Sequence, residues 1–338
     1  MEDGGATSLG IVVVSFNSRR HLSRCLGSLR DNPPPCPWEV VVVDNASSDG
    51  SADAVAEGFP SARLVRSSTN DGYGVAANRG ARALNTTHLL LLNPDAEVTP
   101  GALRTLLDFS AAHARAGVIG PRLLLSDGQP QPSARRFLSS GLLILEAMRL
   151  HLLLPRRLRG RLMLGTYFPQ DVTMRVPWVS GACHLIPREA WERVGPLTEE
   201  TFCGFDDYDY CQRAWRAGYE VWLCAEATVI HHCSVAVRDR WSSWQVEELA
   251  IHNTYVVLDS HWPWWRVKAF GFAELLTWML ETVRHLVRPR QEVAYLDEPY
   301  RRRLGRRLAL TLRLLLGLES PRRRFQPPST AVSARPAR

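Results

Sequence analysis

The stretch EVVVVDNASSDG, residues 39–50, carries the reading on which the fold turns. Its four consecutive valines are β-branched and too few for a buried helix, which suits a strand covered on both faces. The run stops at Asp44, and Ser47 and Ser48 then offer N-caps for a helix through Glu57. The same alternation repeats outward from it. Upstream, Gly10–Val14 is an apolar strand, followed by Asn17, Ser18 and an amphipathic run over His21–Leu29, with a proline-rich turn at Asp31–Pro37. Downstream come a strand at Ala62–Arg66, a helix at Tyr73–Leu84 and a strand at His88–Leu92 that ends on Asn93, Pro94 and Asp95. Thr99-Pro100 opens another helix, with proline in its first turn. Such βαβα order predicts an α/β fold with a doubly wound, mostly parallel sheet flanked by helices.

Sheets of this kind bind ligands beyond the carboxyl ends of their strands. Asn17, Asp44, Asn93 and Asp95 stand at three such ends. Any one of them alone reads as a turn former or helix cap; three ends in succession read as a site. From Ser126 to Val176 periodicity is poor, an excursion expected to cover one face of that site. Regularity returns at Trp178–Pro187, then in a helix from Asp207 to Ala217, a turn at Gly218 and a strand over Val221–His231. Asp206, Asp207 and Asp209 crowd three carboxylates at that helix start, more than a helix dipole asks for, and such crowding raises pKa values or recruits a cation. The tandem His231-His232 suggests a metal or phosphate, against the ordinary reading of buried core histidines.

Composition bounds the rest. The chain has 338 residues, and its 45% apolar content is ample for a core. The seven cysteines are odd in number and hold no CxxC pair, which argues against a disulfide framework or a cysteine zinc site and for a reducing cytosol. Residues 1–10 have neither the basic start nor the apolar stretch of a secretory signal. The longest apolar runs, Leu142–Leu154 and Phe270–Leu286, are interrupted by charge, so no spanning helix is expected. From Arg284 onward there are 14 arginines against 4 acids, a net of +10 in a chain of +7, which leaves about −3 for the preceding residues. The basic character therefore belongs to the C-terminal region and suggests contact with phosphates. No aromatic-basic recognition module supports a nucleic-acid partner.

Seven segments together resemble the family-2 glycosyltransferases: IVVVSFNS (11–18), VVVDNASSDG (41–50), NDGYGVAANRG (70–80), LLLLNPDAE (89–97), WVSGAC (178–183), DDYDYC (206–211) and ATVIHH (227–232). They follow in the family's order over residues 8–235 and look most like its bacterial rhamnosyltransferase-like branch. The resemblance implies a GT-A-type fold and an inverting transfer from a nucleotide-diphosphate sugar, with the branch pointing to dTDP-rhamnose, to a saccharide or lipid-linked saccharide, using Mg2+ or Mn2+. It places Ser15, Asn17, Asp44, Asn70, Gly72, Asn78 and Asn93 on the nucleotide side. Asp95 matches the last acid of the metal-binding DXD motif, whose first acid is here Asn93. His231 or His232 matches a further metal ligand, and the resemblance does not separate the two. Asp207 matches the catalytic base with Asp206 beside it, and Trp178, Ser180, Gly181 and Ala182 match a loop near acceptor and donor sugar.

The expected organisation is a catalytic domain over 8–240, an amphipathic helical extension over 241–318 and a disordered basic tail over 319–338. Trp262, Trp264, Trp265 and Trp278 lie among basic residues, and Leu304, Leu308, Leu312 and Leu315 form one helical stripe. Both favour peripheral contact with the inner face of a membrane, against core packing or a dimer contact. Two other readings compete: a catalytically inactive nucleotide-sugar or glycan-binding protein, and a nucleotidyltransferase. The latter wants a glycine-rich phosphate loop after the first strand, which SFNS (15–18) does not supply.

Overall fold

A computed structural model describes residues 6–232, 241–288 and 298–322. The chain divides into two compact units. The first comprises residues 1–136, 164–199 and 206–236; the second comprises 137–163, 200–205 and 237–338. The second unit thus includes two segments that the motif order alone assigns to the catalytic region. The expected tail falls mostly beyond residue 322, outside the described residues.

The first unit opens with β1 (Leu9–Ser15), α1 (Arg19–Asp31), β2 (Trp38–Asp44), α2 (Ser51–Gly58), β3 (Arg63–Arg66), α3 (Tyr73–Arg82) and β4 (His88–Leu92). It continues with β5 (Ala96–Val98), α4 (Ala102–Ala112), β6 (Ala116–Leu124) and β7 (Pro130–Gln131). Two helices of the second unit, α5 (Ser140–Ala147) and α6 (Arg156–Met163), intervene. The first unit then resumes with β8 (Met174–Arg175), β9 (Cys183–Pro187), α7 (Arg188–Val194), α8 (Asp206–Arg216) and β10 (Glu220–His231).

The sheet runs β3-β2-β1-β4-β9-β6-β10-β5, with β7 on β6 and β8 on β10. Its first four strands are parallel, as the alternating order predicts. Beyond them the sheet is mixed, because β9 enters antiparallel to both β4 and β6. Alternation along the strands divides the core in two. Ile11, Val13, Val42, Leu90 and Leu92 face α1 and α4, whereas Val12, Val14, Val41, Val43, Leu89 and Leu91 face α3, α7 and α8. Gly80 lets α3 lie close to the sheet, since a Cβ there would stand 2.5 Å from Val12 Cγ1.

The second unit adds α9 (Ser243–His261), α10 (Trp264–Val287) and α11 (Tyr300–Leu315) to α5 and α6. A capping box starts α9: Ser242 Oγ accepts the Gln245 N–H at 3.2 Å, and Gln245 Oε1 accepts the Ser242 N–H at 2.8 Å. Tyr255, Leu258, Trp262, Phe270, Leu310 and Leu314 form the unit's core. Inside it, the buried Glu274 carboxylate accepts from Tyr255 Oη at 2.8 Å and Thr311 Oγ1 at 3.2 Å, and burial holds its pKa above the usual carboxylate value.

Candidate functional site

At the carboxyl ends of β1 and β2, paired register brings Ser15 opposite Asp44. Ser15 is fully buried, its hydroxyl 2.9 Å from Ser18 Oγ. Asn17 takes a positive φ of 51°, which asparagine tolerates. Its Oδ1 accepts the Ser48 N–H at 2.7 Å and its own N–H donates to Ser47 Oγ, so the two loops are tied together. Asp44 Oδ2 accepts the Ser47 N–H at 3.1 Å, whereas Asp44 Oδ1 is buried and has no hydrogen-bond partner among the described residues. Asn45, which sequence reasoning passed over, donates from Nδ2 to Asn70 Oδ1 at 2.6 Å and to the Gly72 carbonyl, and its own Oδ1 is also buried without a partner among the described residues. Gly72 is needed for its φ of 99°. Two orphaned acceptors in one cradle are costly unless a donor-bearing ligand meets them.

Asn78 and Gly74, further along the same segment, meet the chain's own residues. Asn78 is fully buried: both amide hydrogens go to the Leu197 carbonyl and Glu199 Oε1, and its Oδ1 accepts the Leu197 N–H. A Cβ on Gly74 would lie 2.2 Å from the Thr198 carbonyl oxygen. Close approach at this segment is made by the chain's own residues 197–199. The Asn78 side chain ties that segment to α3.

Antiparallel pairing of β5 with β10 sets His231 opposite Ala96, beside Asp95. His231 Nε2 lies 3.2 Å from Asp95 Oδ1 and 3.5 Å from Asn93 Nδ2, while its Nδ1 meets Gln131 Oε1 at 2.9 Å. His232 turns the other way: Nε2 meets Glu97 Oε1 at 2.5 Å and Nδ1 meets Ser126 Oγ at 2.6 Å. Glu97 also pairs with Arg24 at 2.9 Å. The neighbours that sequence left undivided therefore part, one to Asp95 and one to a Glu97–Arg24 network. Among the described residues no three His, Cys, Asp or Glu side chains converge as a ready cation cage. Asp95 and His231 are nonetheless donors of the types Mg2+ and Mn2+ accept. Ligands adjacent in an octahedron at about 2.1 Å each sit about 3 Å apart, close to the 3.2 Å seen here. With only two such donors, further ligands would have to come from phosphate or water.

The loop before β9 joins this turn to α8. Asn93 N–H donates to the Ala182 carbonyl at 2.9 Å, and one residue earlier Gly181 N–H donates to Asp207 Oδ2 at 2.8 Å. Asp207 Oδ1 accepts the Tyr208 N–H at 2.8 Å in the first turn of its helix. The three acids of that helix diverge: Asp209 is buried against Arg213 at 2.8 Å, Asp206 is buried, and Asp207 alone is partly accessible. Crowding in sequence is thus resolved by the helical turn. Ser180 N–H donates to the Ser133 carbonyl, and the Trp178 indole N–H donates to the Arg136 carbonyl at 2.8 Å. Arg135 lies 5.5 Å from the Trp178 ring, which meets Tyr208 edge-on at 5.7 Å. Beneath the loop, fully buried His184 donates from Nε2 to the Val179 carbonyl at 3.0 Å. Burial pushes its pKa below the usual value, against the pull of Asp207. Gln131, His184 and Glu97 carried no local sequence signal; they become visible only through long-range pairing.

The profile of glycosyl transferase family 2 matches residues 10–168. The N-acetylglucosaminyl-diphospho-decaprenol L-rhamnosyltransferase of Mycobacterium tuberculosis is 31% identical over 250 residues, covering 66% of this chain and 76% of that protein. The chain belongs to glycosyltransferase family 2. The low-salt glycan biosynthesis hexosyltransferase Agl10 of Haloferax volcanii is 26% identical over 247 residues, 70% of this chain and 71% of the relative. Among solved structures, a mannosyltransferase of Pyrobaculum calidifontis in complex with GDP-Man and Mn2+ superposes with a TM-score of 0.55 at 15% identity, over 92% of this chain and 88% of its own. Its likeness is one of fold, the GT-A α/β sheet.

Proposed function

We propose that this family-2 glycosyltransferase transfers a hexose with inversion, L-rhamnose from a nucleoside diphosphate donor such as dTDP-rhamnose, to a polyprenyl-diphosphate-linked saccharide. The sugar and the acceptor class follow the name of the rhamnosyltransferase relative. One observation carries the reading: the Asp207 carboxylate and the Asn93–Asp95 turn hang from adjacent residues, Gly181 and Ala182, of a single strand entry. A base and a diphosphate-holding turn fixed to one element have the mutual rigidity that an in-line displacement needs.

In this reading, the acceptor hydroxyl oxygen attacks the anomeric carbon as its proton passes to Asp207. The bond from that carbon to the diphosphate oxygen breaks from the opposite face, and the configuration inverts. The orphaned Asp44 and Asn45 oxygens accept from the nucleoside, and Trp178 walls the sugar. Asp95 and His231 would hold Mg2+ or Mn2+, which when bound offsets the charge of the departing diphosphate. Thermal shift with dTDP-, UDP- and GDP-sugars, with and without Mn2+, identifies the donor. Proton NMR of the product then tests inversion. Retained anomeric configuration, or turnover undiminished in Asp207→Asn, overturns the reading.

A further inference from the structure

Helix α10 shows one face to its own unit and another that is exposed among the described residues. Val267, Phe270, Gly271, Ala273 and Glu274 are buried. Trp265, Phe272, Leu276, Met279, Val283 and Leu286 are each 41–66% exposed. Together with Ala269 they recur at alternating four- and three-residue steps, a single stripe about 32 Å long at 1.5 Å per residue. The stripe contains no charged side chain. An aqueous surface rarely leaves so continuous an apolar track uncovered.

The segments packed against α10 extend the apolar surface beyond one helix. Arg284 hydrogen-bonds the Ala147 carbonyl at the end of α5, and directly after it Met148, Leu150, Leu152 and Leu153 are 46–81% exposed. On α11, whose Leu315 touches Gly271, Leu312 is exposed as well, as is Leu316 directly after the helix. The leucine stripe expected there is itself corrected: Leu304 and Leu315 are buried core residues, and only Leu312 of the stripe is open. Of the tryptophans, Trp262 is buried, whereas Trp264 and Trp265 stand out at the start of α10 at 76% and 60%.

Charge decides what covers this surface. The described residues of the second unit hold 16 arginines and lysines against 9 acids, a net of +7. Arg149, Arg156, Arg157, Arg161, Arg301, Arg302, Arg306 and Arg313 are all exposed. A second copy of the chain would bring the same surplus against itself, and a two-helix seam would cover the α10 stripe alone. A leaflet rich in anionic lipid accepts both the arginines and apolar residues spread over three elements. No helix among the described residues is long and apolar enough to cross a membrane.

We infer that the second unit docks on an anionic bilayer surface through the α10 stripe, with α10 lying in the interfacial plane and the exposed arginines meeting lipid headgroups. The inference goes beyond the transfer reaction and stands or falls apart from it, because the test needs no turnover. The full chain is floated with vesicles of phosphatidylcholine alone or with about one-third phosphatidylglycerol, at low and high salt. Binding is expected on the anionic vesicles only, weakened by salt. Phe272→Ser with Met279→Ser should lower the partition coefficient at least tenfold, the loss of two inserted apolar side chains. Both positions are exposed, so circular dichroism should show the variant folded. Arg301→Gln with Arg302→Gln should lower binding to anionic vesicles and leave folding unchanged. No binding to either vesicle, equal binding to both, or unaltered binding by the double-serine variant overturns the proposal. So does a wild-type dimer in lipid-free light scattering that the double-serine variant makes monomeric, which would give the stripe to a second copy.

Discussion

Replacing Gly181 with alanine would probe the link between the β9 entry and Asp207 without removing a polar group. A Cβ at position 181 would stand 3.0 Å from Asp207 Cβ and 3.3 Å from its Oδ2. Ordinary carbon contacts run at about 3.5–4.0 Å, so the gap must open by about 0.5 Å, and the atoms in the way belong to the proposed base. Misplacing a reacting group by about 1 Å costs on the order of a hundredfold. Half that displacement predicts a fall in kcat of roughly tenfold, short of the roughly 10²–10⁴ that losing general base catalysis altogether would cost. Overpacking also costs about 1–3 kcal/mol, which lowers Tm by several degrees. The assay is nucleoside diphosphate release at saturating donor, with donor Kd by calorimetry. Gly181→Ala should lose about tenfold in kcat and Asp207→Asn a hundredfold or more, both with donor Kd unchanged. Combining the two should add nothing to Asp207→Asn, since no base remains to be misplaced. A full tenfold loss that persists in the Asp207→Asn background would refute the reasoning, as would wild-type kcat in Gly181→Ala.

Three further predictions follow from the same geometry. His231→Ala should weaken Mn2+-dependent donor binding on the order of ten- to a hundredfold, whereas His232→Asn, which alters the ring's contacts with Glu97, Ser126 and His21 rather than a contact with the Asp95 carboxylate, should change it little; calorimetry with the opposite ranking would reassign the ligand. Asn78→Ala strands the Leu197 N–H and carbonyl at about 1–3 kcal/mol each, so Tm should drop by roughly 5–15 °C with donor Kd unmoved; a loss of affinity at unchanged Tm would return Asn78 to the nucleotide. For His184, burial puts the folded pKa below the ordinary 6.5, so as pH falls through 6.5 the unfolded chain protonates first. Stability should then decline by up to about 1.4 kcal/mol per pH unit, with no such effect above 6.5. Tm measured from pH 8 to 5 in wild type and His184→Gln checks this, and equal slopes in the two proteins would count against it.

What the sequence showed and what it concealed divide along a physical line. Runs such as residues 40–43 and 89–92 announce buried strands by composition alone, and Asp44 and Asp95 fall at their carboxyl ends by simple counting. Local periodicity also places Asp207 at a helix start. Pairing between distant segments leaves no such trace. Nothing local says that Leu197 will take both ends of the Asn78 amide, that Gln131 will meet His231 across 100 residues, or that His184 will brace the Val179 carbonyl. The leucines of α11 show a related limit. Their 3.6-residue spacing reports that one face is apolar, but not whether that face meets protein or solvent, and Leu304 and Leu315 turn inward.

The direction of β9 is the clearest case in which an illegible feature builds the site. Because β9 runs antiparallel to β4, Cys183 at its start pairs with Leu92 at the end of β4. The residues that enter β9 therefore lie at the same sheet edge as Asn93, so Ala182 can hold Asn93 while Gly181 holds Asp207. Were β9 parallel, its entry would lie at the opposite edge, and five residues at about 3.3 Å each would put roughly 16 Å between them. Asp207 could then be tied to the Asn93–Asp95 turn only through a long loop. A strictly doubly wound sheet delivers ligand-binding groups from successive strand ends. One reversed strand lets it add a carboxylate that lies more than a hundred residues further along the chain.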